Sequence, residues 1–396
     1  MFRIRAVMLT AIIVAATTAA CSSDAKPVDK VLETTTTLSP AAAARLYQER
    51  GPFAVGVLTE TLPDDNKVEI WYPAVEGSRG SETYDVKDFT SPAIKALLTA
   101  DVDATLTYEA TRDAAPTIGK FPVVLFSHGF SGFRLQSTFL TAHLASWGMI
   151  VAAPDHPSRD LFHLLGDAPA QDSVDDLQAT LDMVRTLSAE PDSPLNALAD
   201  FDHVAAIGHS AGGGTVVGAT NRIAGIDGYI SLASGLFRGT NTATTGGAST
   251  TTTPVPGKPS LFVAGANDGI ADPQKVTRAG YQAAATPTRL WIIEKAGHNA
   301  FDDLCTLGGG AGIIGIAEAS GLGPALATGP LSGAKRLGED GCKPPNVPVT
   351  EVYPIINHVV VAWLRNLFVS DISAQGLGPE VAKQFSVGVT IEERLG

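Results

Sequence analysis

The chain has 396 residues, 44% hydrophobic and 17% charged, with 28 basic against 41 acidic side chains and a net charge of −13. That length holds one large domain or two average ones, and the apolar share is enough for a sizeable core. So acidic a chain excludes nucleic acid as a partner, because phosphates demand Lys/Arg patches. With 40 Gly and 25 Pro, it stays far below collagen-like or disordered composition.

Residues 1–20 read as a signal peptide: Arg3 and Arg5 precede an uncharged, largely apolar stretch over 6–20. The stretch is short for a permanent membrane span, which needs about 20 apolar residues. It ends Thr18-Ala19-Ala20-Cys21, which resembles a bacterial lipobox, although Leu is usual where Thr18 stands. Lipidation at Cys21 is therefore expected, with two acyl chains giving stable anchoring, and plain secretion is the alternative. Loss of residues 1–20 removes Arg3 and Arg5 and moves the charge from −13 to −15. Residues 21–48 read as a Thr/Ser-rich tether and 49–396 as one catalytic domain. Of three Cys, Cys305 and Cys342 remain as a possible disulfide in an oxidising compartment.

In chain order, 53–60 and 67–73 predict a hairpin turning at Pro63-Asp64-Asp65-Asn66. Residues 74–116 read as an irregular insertion with a short helical piece near 91–100. The run FPVVLFS over 121–127 predicts a strand buried on both faces, followed by a helix over 135–147 and a second buried strand over 149–154. An amphipathic helix is predicted over 173–189, with Ser173 and Asp176 at capping-box spacing. Strands follow at 204–208, 226–233, 259–265 and 288–294, with a helix over 211–220 after the first of them. Buried strands separated by helices argue for a parallel α/β sheet. Loops or insertions are expected at 236–258 and 306–350, and a closing helix over 353–368 docks Trp363 and Leu364 on the sheet.

The chemistry falls on the strand ends. Gly208-His209-Ser210-Ala211-Gly212 matches G-x-S-x-G in the strand–turn–helix setting that a nucleophile elbow requires. The hydroxyl needs a base. His298, in the Ala296-Gly297-His298-Asn299 turn after the last strand, is the histidine placed to reach it, while His209 should point away. Asp268, at the end of the strand over 259–265, is the expected carboxylate that orients the base. Asp272 is the runner-up, and Asp302 and Asp303 would need the chain to fold back. The oxyanion donors are expected to be the N–H groups of Ala211 and Phe130, the latter in the turn Ser127-His128-Gly129-Phe130. The turn at Asp155-His156-Pro157 either lines the pocket or is an ordinary capped turn.

Together, FPVVLFSHGFSGFR, GMIVAAPDHPSRD, GHSAGGGTV and GANDG with AGHNAF resemble α/β-hydrolases. More narrowly, they are similar to plasma-type platelet-activating-factor acetylhydrolases and their bacterial dienelactone-hydrolase-like and cutinase-like polyester hydrolase relatives. True dienelactone hydrolases carry Cys where this chain has Ser210. The resemblance implies an α/β-hydrolase fold and a serine carboxylesterase acting through an acyl-enzyme, without cofactor or metal. Ser210, Asp268, His298, Phe130 and Ala211 fall on the family's functional positions. The Cys305–Cys342 insertion has no assigned counterpart and is expected to act as lid or pocket wall. The expectation is an exported, monomeric esterase acting on a small-molecule or lipid ester, touching membrane only through its anchor. The alternatives are a lipase or polyester hydrolase, and a non-catalytic surface lipoprotein that kept the fold.

Overall fold

A computed structural model describes residues 37–99, 101–163, 168–236, 254–328, 332–369 and 371–396. The expected signal segment 1–20, Cys21, the tether up to residue 36 and 237–253 of the expected loop lie outside the described residues. The strands are β1 (Ala54–Thr61), β2 (Lys67–Ala74), β3 (Glu82–Asp85), β4 (Thr105–Tyr108), β5 (Thr111–Arg112) and β6 (Phe121–Ser127). They continue with β7 (Ile150–Pro154), β8 (Ala199–His209), β9 (Ile226–Leu232), β10 (Ser260–Gly265), β11 (Thr288–Ile293) and β12 (Val389–Arg394). Ten of them form one sheet in the order β12-β11-β10-β9-β8-β6-β7-β2-β1-β5.

The pairs from β7 across β6, β8, β9 and β10 to β11 are all parallel. The β1–β2 hairpin attaches antiparallel to β7, and β12 closes the other edge antiparallel to β11. Strand β6 explains why an unbroken apolar run was needed. Val123 and Leu125 enter one buried core, while Val124 and Phe126 enter a second on the opposite face. Helices Ser173–Ala189 and Ala211–Arg222 cover the first face; Thr138–Ser146 and Val349–Phe368 cover the other. Trp363 and Leu364 are buried as expected, with the Trp363 ring over Gly228.

The structure departs from the sequence reading in five places. The helix Ser173–Ala189 is capped by Asp172, whose carboxylate accepts from the Val174 N–H at 2.9 Å, so Ser173 is its first residue and not its cap. The folded part begins before residue 49: helix Pro40–Arg45 buries Ala43 and Ala44, and the Tyr47 hydroxyl bonds Ser373 Oγ at 2.6 Å. The 74–116 segment contains the β3–β4 sheet and β5 as well as a helical turn, Pro92–Lys95. The last strand, β12, was not expected at all. Finally, the small-residue insertion is largely helical, with segments Gly312–Ala317, Gly323–Ala327 and Ser332–Glu339.

A Cys305–Cys342 disulfide closes this insertion across a sequence separation of 37. Closing a loop of that size restricts the unfolded chain, so replacing both cysteines by Ser is expected to lower unfolding stability by about 3–4 kcal/mol. Urea denaturation of the two proteins checks this. A loss below about 1 kcal/mol would mean that the bridge does not constrain the unfolded state.

Candidate active site

The site lies at the carboxyl ends of β8, β10 and β11. Ser210 joins β8 to helix Ala211–Arg222 with φ 54° and ψ −119°, a backbone conformation that costs a non-glycine residue energy and is held by its surroundings. The Ser210 N–H donates to Leu232 O at 2.9 Å, and Ser210 O accepts from Gly213 N at 2.9 Å. Both flanking glycines are required sterically. A Cβ on Gly208 would stand 2.0 Å from Gly212 O, and one on Gly212 would stand 2.0 Å from Ser127 O.

His298 lies on a short turn after β11, fully buried, with Nε2 2.9 Å from Ser210 Oγ. Its Nδ1 is 2.9 Å from Asp268 Oδ2. The other oxygen of Asp268 accepts from the N–H groups of Ile270 and Ala271, at 2.9 and 2.7 Å, which fixes the carboxylate plane. The structure thus joins Ser210, His298 and Asp268 in one hydrogen-bonded chain. Asp272 stands apart, capping the following turn through Gln274 N and Lys275 N. Asp302 and Asp303 are buried and bond elsewhere: Asp303 caps Thr138, and Asp302 Oδ1 accepts from Leu304 N. Burial pushes both carboxyls up, Asp303 to about 7.

The turn after β6 runs directly over the elbow, since a Cβ on Gly129 would lie 3.3 Å from Ser210 Cβ. Among the described residues, neither the Phe130 nor the Ala211 N–H donates to a protein acceptor. The turn is held by side chains that the sequence reading did not assign. Gln136 accepts from Gly129 N at 3.0 Å and donates to His209 Nδ1 at 2.8 Å. His209 in turn donates from Nε2 to His298 O at 3.2 Å. Gln136 and His209 therefore tie together the Gly129 turn, the elbow and the His298 turn. His209 is buried and its ring is turned into this bridge; burial holds it neutral, well below its usual range.

Arg159 clamps the same turn from behind. Its Nη2 donates to His128 O at 2.9 Å, and its own carbonyl accepts from Ser131 N at 2.8 Å. A second serine–histidine–carboxylate chain lies beside it: Ser127 Oγ to His156 Nε2 at 2.9 Å and His156 Nδ1 to Asp176 Oδ2 at 2.7 Å. All three members are buried and away from the pocket, so this chain braces the turn and faces no substrate. Its composition shows the energetic strain of burial. Desolvation lowers Arg159 to about 10 and raises Asp176 to about 7. Asp155, His156 and Pro157 do not line the pocket at Ser210; Asp155 and Pro157 line a separate cavity, and His156 is buried in the brace.

The insertion reaches the site through Asp340, which no motif marks. Its Oδ1 accepts from His298 N at 2.7 Å and its Oδ2 from Gly269 N at 3.0 Å. Asn299 adds two bonds, its N–H to Asp340 O at 2.9 Å and its side-chain amide to Leu337 O at 2.7 Å. Burial raises the Asp340 carboxyl, with the Asp268 charge adding to it and the two N–H donors opposing. Above Ser210 lies a cavity of ≈ 470 Å³ whose walls include the 86–98 segment, the turn at Phe130 and the insertion. Phe130 is 56% exposed at its rim. Among the described residues, no cluster of three or more His, Cys, Asp or Glu could hold a metal ion.

This sheet order, with a serine elbow on a central strand, defines an α/β-hydrolase fold. A family model described as platelet-activating factor acetylhydrolase, isoform II, matches residues 57–166. That span includes the turn at Gly129–Phe130 but ends before Ser210, Asp268 and His298. A solved ferulic acid esterase from Streptomyces cinnamoneus is similar over 91% of this chain and 99% of its own, with TM-score 0.58 and 20% identity. At that identity the likeness establishes the fold. No curated protein matches the chain.

Proposed function

We propose that the protein is a serine carboxylic ester hydrolase working through an acyl-enzyme. The observation that carries this is the Ser210–His298–Asp268 chain, with both hydrogen bonds at 2.9 Å, beneath the Gly129 turn that runs against the elbow. In the proposed mechanism His298 Nε2 takes the Ser210 proton as Oγ attacks the ester carbonyl. Asp268 holds the imidazole in the Nδ1–H tautomer and balances the imidazolium. The N–H groups of Phe130 and Ala211 receive the alkoxide, a type of contact typically worth about 10²–10³ in rate per donor. His298 then protonates the departing alcohol and activates the water that frees the acid. The family match to an acetylhydrolase model and the fold shared with a ferulic acid esterase support this chemistry.

We further propose that the chain is exported and anchored at Cys21, on the strength of the 1–21 sequence pattern. Labelling with a fluorophosphonate followed by peptide mapping tests the catalytic reading. Modification at Ser210 is expected, and an unlabelled native protein that hydrolyses no ester would sink it. Metabolic acyl labelling of the wild type and Cys21→Ser tests the anchor, with label expected in the wild type alone.

A further inference from the structure

The α/β frame by itself does not build the pocket over Ser210. Its far walls come from two segments added to that frame: Ile94 and Leu98 from one, and Ile314, Ile316, Leu326 and Leu337 from the Cys-bridged insertion. Among the described residues no Lys or Arg lines it, and the one carboxyl group in its lining, Asp302, is completely buried. Such a wall offers no counter-charge to a phosphate, a carboxylate or an ammonium headgroup. A methylene is about the size of a water molecule, which claims roughly 30 Å³ of liquid. A space of ≈ 470 Å³ therefore holds about sixteen such groups. Because it includes the ground over Ser210 and His298, about four to eight of them go to the reacting ester, its alcohol and water, which leaves far more than an acetyl group fills.

The order of events in the acyl-enzyme pathway says which half of the ester belongs there. The alcohol must leave and water must enter while the acyl group stays bonded to Ser210. The group seated between these apolar walls is the one that stays. We propose, building on the esterase reading, that this pocket is an acyl site for neutral, unbranched aliphatic acids of about eight to twelve carbons. The insertion is the wall that sets the chain length. Each further methylene moved from water into this wall raises kcat/KM by roughly fourfold until the pocket is full. Leu326, buried on helix Gly323–Ala327, and Ala334, on Ser332–Glu339, both stand at that wall.

The test is a series of p-nitrophenyl esters from acetyl to palmitoyl, with a feruloyl ester alongside, on the full chain with its disulfide intact. The optimum is expected between octanoyl and dodecanoyl, at least about 100-fold above acetyl in kcat/KM. Leu326→Trp and Ala334→Trp fill the wall and are expected to lower the decanoyl-to-acetyl ratio at least tenfold. The ratio is read within one protein, so partial loss of folded material does not affect it. An optimum at acetyl or propionyl overturns the proposal. So does a feruloyl rate above octanoyl, or a ratio unmoved in both variants. Absence of hydrolysis across the whole series, together with no Ser210 labelling, would instead overturn the esterase reading beneath it.

Discussion

Ser210→Ala is expected to reduce kcat for ester hydrolysis by about 10⁴–10⁶-fold while leaving the melting temperature within about 2 °C of wild type. The rate falls because, among the described residues, Ser210 Oγ is the hydroxyl that His298 Nε2 bonds, at 2.9 Å. Stability should hold because the elbow is built by backbone contacts, Gly208 against Gly212 and Gly212 against Ser127, and not by the serine side chain. Alanine also takes the φ of 54° at a cost close to that of serine. His298→Ala should lose a similar factor, and the double variant little more than either alone, since the two act as one unit. Steady-state kinetics on protein freed of wild-type contamination, with active-site titration, measures this. Additive losses would mean that the two residues act in separate steps. A rate unchanged in Ser210→Ala would mean that the nucleophile lies elsewhere.

Much of this site was legible because its parts announce themselves locally. The apolar runs of β6 and β7 are buried on both faces, so hydrophobicity alone marks them. The elbow is legible because a Cβ at Gly208 or Gly212 would stand 2.0 Å from a backbone oxygen, which forces glycine at fixed offsets from Ser210. Asp268 and His298 could be placed because each follows a buried strand. What escaped lacks such a signature. Strand β12 reads VTIEER, half-exposed and acidic, and it is held by pairing with β11 and by Arg289–Glu393 and Arg278–Glu392 ion pairs. Gln136 acts through one amide bridging Gly129 and His209, which only the folded chain brings together. The 306–350 insertion carried no element prediction because its small residues show no periodicity. Several of these take positive φ, among them Gly308, Gly309, Gly312 and Gly321, and so punctuate short helices that the composition hides.

Asp340 is the sharpest case, and its removal should have the next largest effect. One carboxylate oxygen holds the backbone N–H of His298 at 2.7 Å; the other holds that of Gly269, beside Asp268, at 3.0 Å. The group therefore fixes the His298 and Gly269 turns from outside the hydrogen-bonded chain, and on the proposed mechanism it is a positioning residue. Asp340→Ala leaves two N–H groups without their acceptor and frees both turns. A displacement of about 1 Å at the base costs on the order of 10² in rate. We expect kcat to fall about 100-fold, with the octanoyl KM changed less than threefold, since the pocket walls are untouched. Asp340→Asn keeps one acceptor and should fall in between, because its NH₂ faces a donor. Fluorophosphonate labelling should slow in parallel with kcat, as the same base activates Ser210 in both reactions. A loss confined to KM, with labelling at the wild-type rate, would mean that Asp340 only supports the roof of the pocket.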